Sequence, residues 1–311
     1  MQPKIVFLDA LSMGKCDLKE KLEKIGEYVE YPTTSKEETL ERCKGFEIVL
    51  TNKVVLDADI LKSLKDLKLI CITATGTNNV DLEVAKELGI IVKNVAGYST
   101  KSVAQHTLMM ALALSAKMPF YDRHCKSGDY ARGPLFTELS YPLEILEGKR
   151  WGIIGLGTIG KAVAKLAQAF GAEVCYYSTS GKNANGDYLQ VDLETLLKTS
   201  TIVSIHAPLN PQTQNLLNKN NLKFIKDNGI LINVGRGGIV NEEDLASELK
   251  KRPLYAGLDV FTKEPMALNN ALLDLSIANQ LVLTPHNAWG YEESKKILIE
   301  GIMKNIQKYL A

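Results

Sequence analysis

The sequence predicts an α/β protein of two domains, each a parallel sheet covered by helices. Three observations carry this reading. The chain has 311 residues, about two domains at the usual ~150 residues each. Short β-branched runs alternate with amphipathic segments almost from end to end, the pattern of parallel strands joined by crossover helices. One of those runs opens directly into a glycine-rich turn and a helix, the setting in which such a turn carries chemistry.

Taken in order, the first series predicts strands at 4–8 (KIVFL), 47–51 (EIVLT), 69–73 (LICIT) and 90–94 (IIVKN). Between them Leu18, Leu22 and Ile25, then Ile60, Leu61 and Leu64, then Leu82, Ala85 and Leu88 recur at helical spacing, the last group stopped by Gly89. The result is a small doubly wound unit, flavodoxin-like in class. A long helix is expected next. Ser102 and Gln105 fit an S-x-x-Q capping box, and Val103, Thr107, Met110, Ala111 and Leu114 form one apolar stripe up to Pro119. Residues 120–148 show no sustained period, which predicts a lid or an arm wrapped on a partner subunit. The second series predicts strands at 150–154, 173–177, 201–205, 229–233, 255–259 and 281–284. Six strands with helices between them match the Rossmann arrangement of two βαβαβ halves. Finally, Ile297, Leu298, Ile302, Ile306 and Leu310 lie on one side of a closing helix docked on an existing domain.

Composition narrows the function. Thirty-seven Lys and Arg oppose 36 Asp and Glu, net charge +1, with no long run of either sign; this speaks against a nucleic-acid-tracking surface and an acidic tail. Cys16, Cys43, Cys71, Cys125 and Cys175 are odd in number, far apart and without a CxxC pair, so a reducing compartment is expected, with neither a disulfide framework nor a metal site. The N-terminal apolar run is too short for a secretory signal, and the most apolar stretch, 108–116, falls well below the ~18 residues of a membrane span. A soluble cytoplasmic enzyme is the expectation.

The strand at 150–154 runs into Gly155, Leu156, Gly157, Thr158, Ile159 and Gly160, followed by a helix over 161–170. In a dinucleotide site the first glycine permits the tight turn, the second lets a pyrophosphate approach the backbone, and the third lets helix and strand pack closely. The phosphates are held by free N–H groups at the helix start. The next strand should end in an acidic residue for the ribose 2′-hydroxyl of NAD, but here Tyr177 is followed by Ser178, with Lys182 and Asn183 shortly after. Hydroxyls and a cation accept a 2′-phosphate where Asp would repel it, so NADP is expected to serve at least as well as NAD.

Ligands of open α/β sheets sit beyond the carboxyl ends of the strands. The third predicted strand there offers His206, the fourth Arg236, the fifth Asp259 and Glu264, and the sixth His286. Reduction of a 2-keto acid needs a cation for substrate carboxylate and carbonyl, which Arg supplies as a rigid fork. It also needs a proton donor, and His, with a reference pKa of ~6.5, suits that role when a carboxylate fixes its tautomer. Each residue alone has a packing explanation; the three together do not share one. Of the four histidines, His106 lies in the apolar helix and reads as a packed or interdomain residue, His124 lies in the arm, and His206 reads as a groove residue nearer the adenosine half. His286 is the best acid.

These motifs in this order, with Ala74 to Asp81, Asn233 to Gly238, Asp259 to Pro265 and Thr284-Pro285-His286, resemble the D-isomer-specific 2-hydroxyacid dehydrogenases over nearly the whole chain. The resemblance implies that Arg236 and His286 bind substrate, that His286 passes the proton and that Glu264 orients it. It implies that Asp259 holds the nicotinamide carboxamide, that Val234 and His206 line the cofactor groove, and that backbone amides at Thr75 and Gly76 take the substrate carboxylate. It also implies a substrate domain of residues 1–98 and 286–311, a Rossmann domain of residues 99–285 inserted into it, and a homodimer built by the helix and arm over 101–148. Residues 96–107 and 286–289 resemble the glycerate dehydrogenase or hydroxypyruvate reductase branch, with NAD or NADP as cofactor and a small anionic 2-keto or 2-hydroxy acid as substrate. Phosphoglycerate is the less favoured substrate, since Asn52 stands where a phosphate would want a cation. A dinucleotide-sensing corepressor is the rival of a different class.

Overall fold

The computed structural model describes residues 2–181 and 186–311. The chain divides into two units, one of Met1–Ser99 with Gly290–Ala311 and one of Thr100–Trp289. The first holds five parallel strands, β1 (Lys4–Phe7), β2 (Glu27–Glu30), β3 (Ile48–Thr51), β4 (Leu69–Ile72) and β5 (Ile91–Lys93), in the order β2-β1-β3-β4-β5. That is the flavodoxin-like order, with its switch point between β1 and β3. β3 and β4 are buried throughout, as strands covered by helices on both faces must be. Beyond the carboxyl ends of β1 and β3, buried Asp9 accepts the amides of Asn52 (2.9 Å) and Lys53 (2.7 Å). Burial pushes its carboxyl pKa up and those N–H groups oppose the rise. The closing helix, Glu292–Leu310, returns to this unit: Asn305 donates to the Asn94 carbonyl at 3.1 Å and the Tyr309 hydroxyl to Glu47 at 2.6 Å.

Two elements of this unit are additional to the expected set. β2 is a half-exposed edge strand, and the helix Lys36–Cys43 buries only Thr39 and Cys43, so neither shows a strong apolar pattern. The helix did carry a signal, a reciprocal capping box between Ser35 and Glu38.

The second unit holds seven parallel strands: β6 (Arg150–Ile154), β7 (Glu173–Tyr177), β8 (Leu189–Gln190), β9 (Ile202–Ile205), β10 (Ile230–Asn233), β11 (Tyr255–Leu258) and β12 (Leu281–Leu283). Their order is β12-β11-β10-β9-β6-β7-β8. Read from β8, this is 3-2-1-4-5-6 with a seventh strand added, the dinucleotide-binding order with its switch point between β6 and β9. The two-residue β8, exposed on both positions, is the strand the sequence pattern did not predict. Its presence makes β9 the fourth strand of the series rather than the third. His206 therefore follows the strand beside β6, across the switch point from β7 and β8, and not the strand nearer the adenosine half.

The long helix spans Thr100–Ser115, beginning two residues before the expected cap at Ser102. Its stripe packs on the sheet closely enough that a Cβ on Gly257 of β11 would lie 3.0 Å from the Met110 sulfur. The expected irregular arm is partly ordered: a helix, Met118–Lys126, starts with Pro119 in its first turn, and a short one, Asp129–Arg132, follows. Proline fits there because first-turn N–H groups have no helical acceptor. Residues 133–149 hold neither helix nor strand. Residues 286–289 stay with the second unit, where the amides of Asn287 and Ala288 are held by Asp259 at 2.9 and 3.1 Å.

Candidate active site

The glycine turn after β6 has the geometry its three glycines require. Gly155 has φ +91°, and a Cβ there would stand 2.9 Å from the Ala207 backbone. A Cβ on Gly160 would lie 2.4 Å from the Gly155 carbonyl oxygen. Gly157 is different: no atom lies within 4 Å of its added Cβ, so open space faces the start of the helix Thr158–Ala169, for which Gly157 is the N-cap. The first N–H groups of that helix, at Thr158, Ile159 and Gly160, have no helical acceptor and favour an anion. Leu156 itself is buried in the core.

Two polar atoms near this turn want a partner. Ser178 Oγ, at the end of β7, and His206 Nδ1, at the end of β9, are buried with no hydrogen bond, a costly state unless a ligand completes it. The other ring nitrogen of His206 lies 2.9 Å from Ser204 Oγ, which also accepts the Trp151 indole N–H at 2.8 Å. Burial pushes the His206 pKa down to about 3, so the ring is neutral at working pH. Open space before Gly157, an orphaned hydroxyl and an orphaned ring nitrogen fit a dinucleotide. Lys182 and Asn183 lie outside the described residues. Val234 follows β10 and is nearly buried.

The sequence-predicted reacting groups lie in the loops beyond the carboxyl ends of β10, β11 and β12, and two of them meet. Glu264 Oε2 is 2.7 Å from His286 Nδ1, and Glu264 Oε1 accepts the Phe261 amide at 3.0 Å. A carboxylate accepts only, so His286 carries its Nδ1 proton toward Glu264 and Nε2 is the nitrogen left for proton exchange. Arg236 follows β10 and spends one N–H on the Gly235 carbonyl at 2.8 Å, while the Asn233 amide secures its backbone carbonyl at 3.0 Å. The adjoining Gly237 presses on the loop bearing Glu264: a Cβ there would sit 1.8 Å from the Phe261 carbonyl oxygen. Only glycine permits that approach.

Asp259 is 1% exposed. It accepts the Thr284 hydroxyl at 2.6 Å and the Asn287 and Ala288 amides, which leaves one of a carboxylate's roughly four acceptor positions. The sequence motifs contained Thr284 and Gly237 but gave neither a role, and the packed reading of His106 agrees with its burial. His106 lies 3.0 Å from the Thr284 hydroxyl and 3.8 Å from Asp259; no spacing rule links residues 178 positions apart. Thr75 and Gly76 belong to the other unit, where Asn94 donates to the Thr75 carbonyl at 2.5 Å. Their expected role toward a substrate carboxylate is a proposal carried by the resemblance alone.

Residues 108–288 match the family profile described as the NAD-binding domain of the D-isomer-specific 2-hydroxyacid dehydrogenases. The chain is 38% identical to glycerate dehydrogenase of Methylorubrum extorquens, over 100% of this chain and 97% of that protein. The chain belongs to the D-isomer-specific 2-hydroxyacid dehydrogenase family. It is 35% identical to hydroxypyruvate reductase of Blautia hydrogenotrophica, over 99% of this chain and 97% of that protein. Among solved structures, D-lactate dehydrogenase from Aquifex aeolicus, complexed with NAD and lactic acid, superposes with a TM-score of 0.85 at 26% identity, covering 98% and 95% of the two chains. The protein is thus an oxidoreductase with a Rossmann NAD-binding domain. Among the described residues no helix is long and apolar enough to cross a membrane, and no three His, Cys, Asp or Glu side chains are grouped to hold a metal.

Proposed function

We propose that this dehydrogenase reduces a short 2-keto acid, hydroxypyruvate or glyoxylate first, to the D-2-hydroxy acid and runs the reverse oxidation. The observation that carries it is the 2.7 Å Glu264–His286 pair on the same rim as Arg236. Arg236 meets the substrate carboxylate and carbonyl oxygen, drawing electron density toward oxygen. When bound in reduced form, the nicotinamide supplies the hydride. His286, as imidazolium, gives its Nε2 proton to the oxygen that becomes the hydroxyl, and Glu264 stabilises the charged ring through Nδ1. In the oxidation, neutral His286 takes that proton back.

Ser178 in place of a carboxylate supports use of NADP at least as well as NAD. The exposed apolar side chains of Leu135, Phe136, Leu139 and Ile145, all within one segment of the arm, support an arm that buries itself in a second copy. Five free cysteines support a reducing compartment such as the cytoplasm. A panel of 2-keto acids assayed with NADH and NADPH tests the reading. Turnover of hydroxypyruvate and glyoxylate is expected, with NADPH no worse than NADH. A large preference for NADH removes the cofactor reading, and cofactor binding without turnover of any keto acid removes the enzyme reading.

A further inference from the structure

His106 has no part in the chemistry described above, and its place on the helix Thr100–Ser115 is remote in sequence from the strand ends that carry the reacting groups. Yet its Nε2 lies 3.0 Å from Thr284 Oγ1, and the Thr284 hydroxyl lies 2.6 Å from Asp259 Oδ1. The direction of these bonds is fixed by chemistry. Asp259 is an acceptor, so the single Thr284 hydroxyl proton goes to it; the oxygen that remains can only accept, so His106 donates from Nε2. Burial lowers the His106 pKa against the opposing pull of Asp259, consistent with a neutral ring of one defined tautomer.

Asp259 then spends its other contacts on the amides of Asn287 at 2.9 Å and Ala288 at 3.1 Å. Thr284 and Asn287 bracket Pro285 and His286, and His286 sits between them in the left-handed region, φ +52°. A non-glycine residue holds that conformation only where its surroundings enforce it. Both ends of the segment are tied to one carboxylate, and the hydroxyl that ties the first end is oriented by His106.

We propose that His106 is a positioning residue for the proposed reduction: through Thr284 and Asp259 it locks the backbone that presents the His286 imidazole. This rests on His286 being the proton donor. Losing the lock leaves His286 chemically intact but misplaced, and misplacement of about 1 Å can cost on the order of 100-fold in rate.

The test is steady-state reduction of hydroxypyruvate by the full-length wild type, His106→Leu, His106→Gln, Thr284→Val and the double variant H106L/T284V, with a thermal melt of each. His106→Leu and Thr284→Val should each lower kcat about 10- to 100-fold with less than about threefold change in KM for hydroxypyruvate. The double variant should be no slower than the slower single one, because both break the same relay. His106→Gln, whose side-chain amide can donate to Thr284, should regain most of kcat. A His106→Leu enzyme with wild-type kcat overturns the inference. So does a loss that tracks the melting temperature and multiplies in the double variant, or one that Gln does not rescue while Thr284→Val stays fully active. If His106→Leu does not fold, Thr284→Val alone decides, by the same kcat criterion. Wild-type protein that turns over no keto acid brings down the functional reading and this inference together, whereas an active wild type with an indifferent His106 brings down the inference alone.

Discussion

In the proposed reaction His286, Glu264 and Arg236 divide the work by what each side chain can donate or accept. Replacing His286 or Arg236 by Ala should each cost about 3–5 kcal/mol of transition-state stabilisation, the scale of general-acid and electrostatic contributions. Comparing kcat/KM with that of the wild type, with circular dichroism showing an intact fold, checks it. His206 makes a different prediction. Its folded pKa of about 3 lies below the ~6.5 of an unfolded His, so between those values the unfolded chain binds the extra proton. The stability His206 contributes is full above pH ~6.5 and falls as pH drops toward 3. His206→Gln should therefore show a shallower loss of melting temperature over that window; an unchanged slope contradicts a buried neutral ring. At this scale the three proposed reacting residues were legible because each lies in the loop that follows a β-run. His106 was not legible, because its role depends on a contact across 178 positions.

Glycines decide what the elements can do. Gly157→Ala places a methyl in open space, so the cofactor-free protein should melt unchanged. KM for the dinucleotide should rise about tenfold, equivalent to ~1.4 kcal/mol, because the methyl fills the space its phosphates need. Gly237→Ala is the opposite case. Its Cβ meets the Phe261 carbonyl at 1.8 Å, so the loop must move and take with it the Phe261 amide that holds Glu264. A drop in kcat of about tenfold or more, with cofactor KM nearly kept, is the expected result. Strands buried on both faces, such as β3, β4, β9 and β10, announced themselves as β-branched runs. The edge strands β2 and β8 and the charged helix Lys36–Cys43 did not, because half-exposed elements need no continuous apolar signal. Missing β8 had a cost, since it displaced His206 by one strand in the order.

The whole chain joins a flavodoxin-ordered sheet and a Rossmann-ordered sheet, and the C-terminal helix returns to the unit in which the chain began. Balanced charge overall leaves room for one local cation, Arg236, at the proposed site of a small anion. The exposed Phe136, at 90%, and its apolar neighbours should disappear into a second copy. Light scattering should give twice the 34.3 kDa chain mass, and Phe136→Glu with Leu139→Glu should shift it toward the monomer; a monomeric wild type contradicts the arm's proposed role. The most direct test of the central claim is the configuration of the product when hydroxypyruvate is reduced with NADPH or NADH. Chiral chromatography should show D-glycerate alone, formed by the wild type and nearly absent with His286→Ala. L-glycerate, or D-glycerate formed at the same rate without the His286 ring, would contradict it.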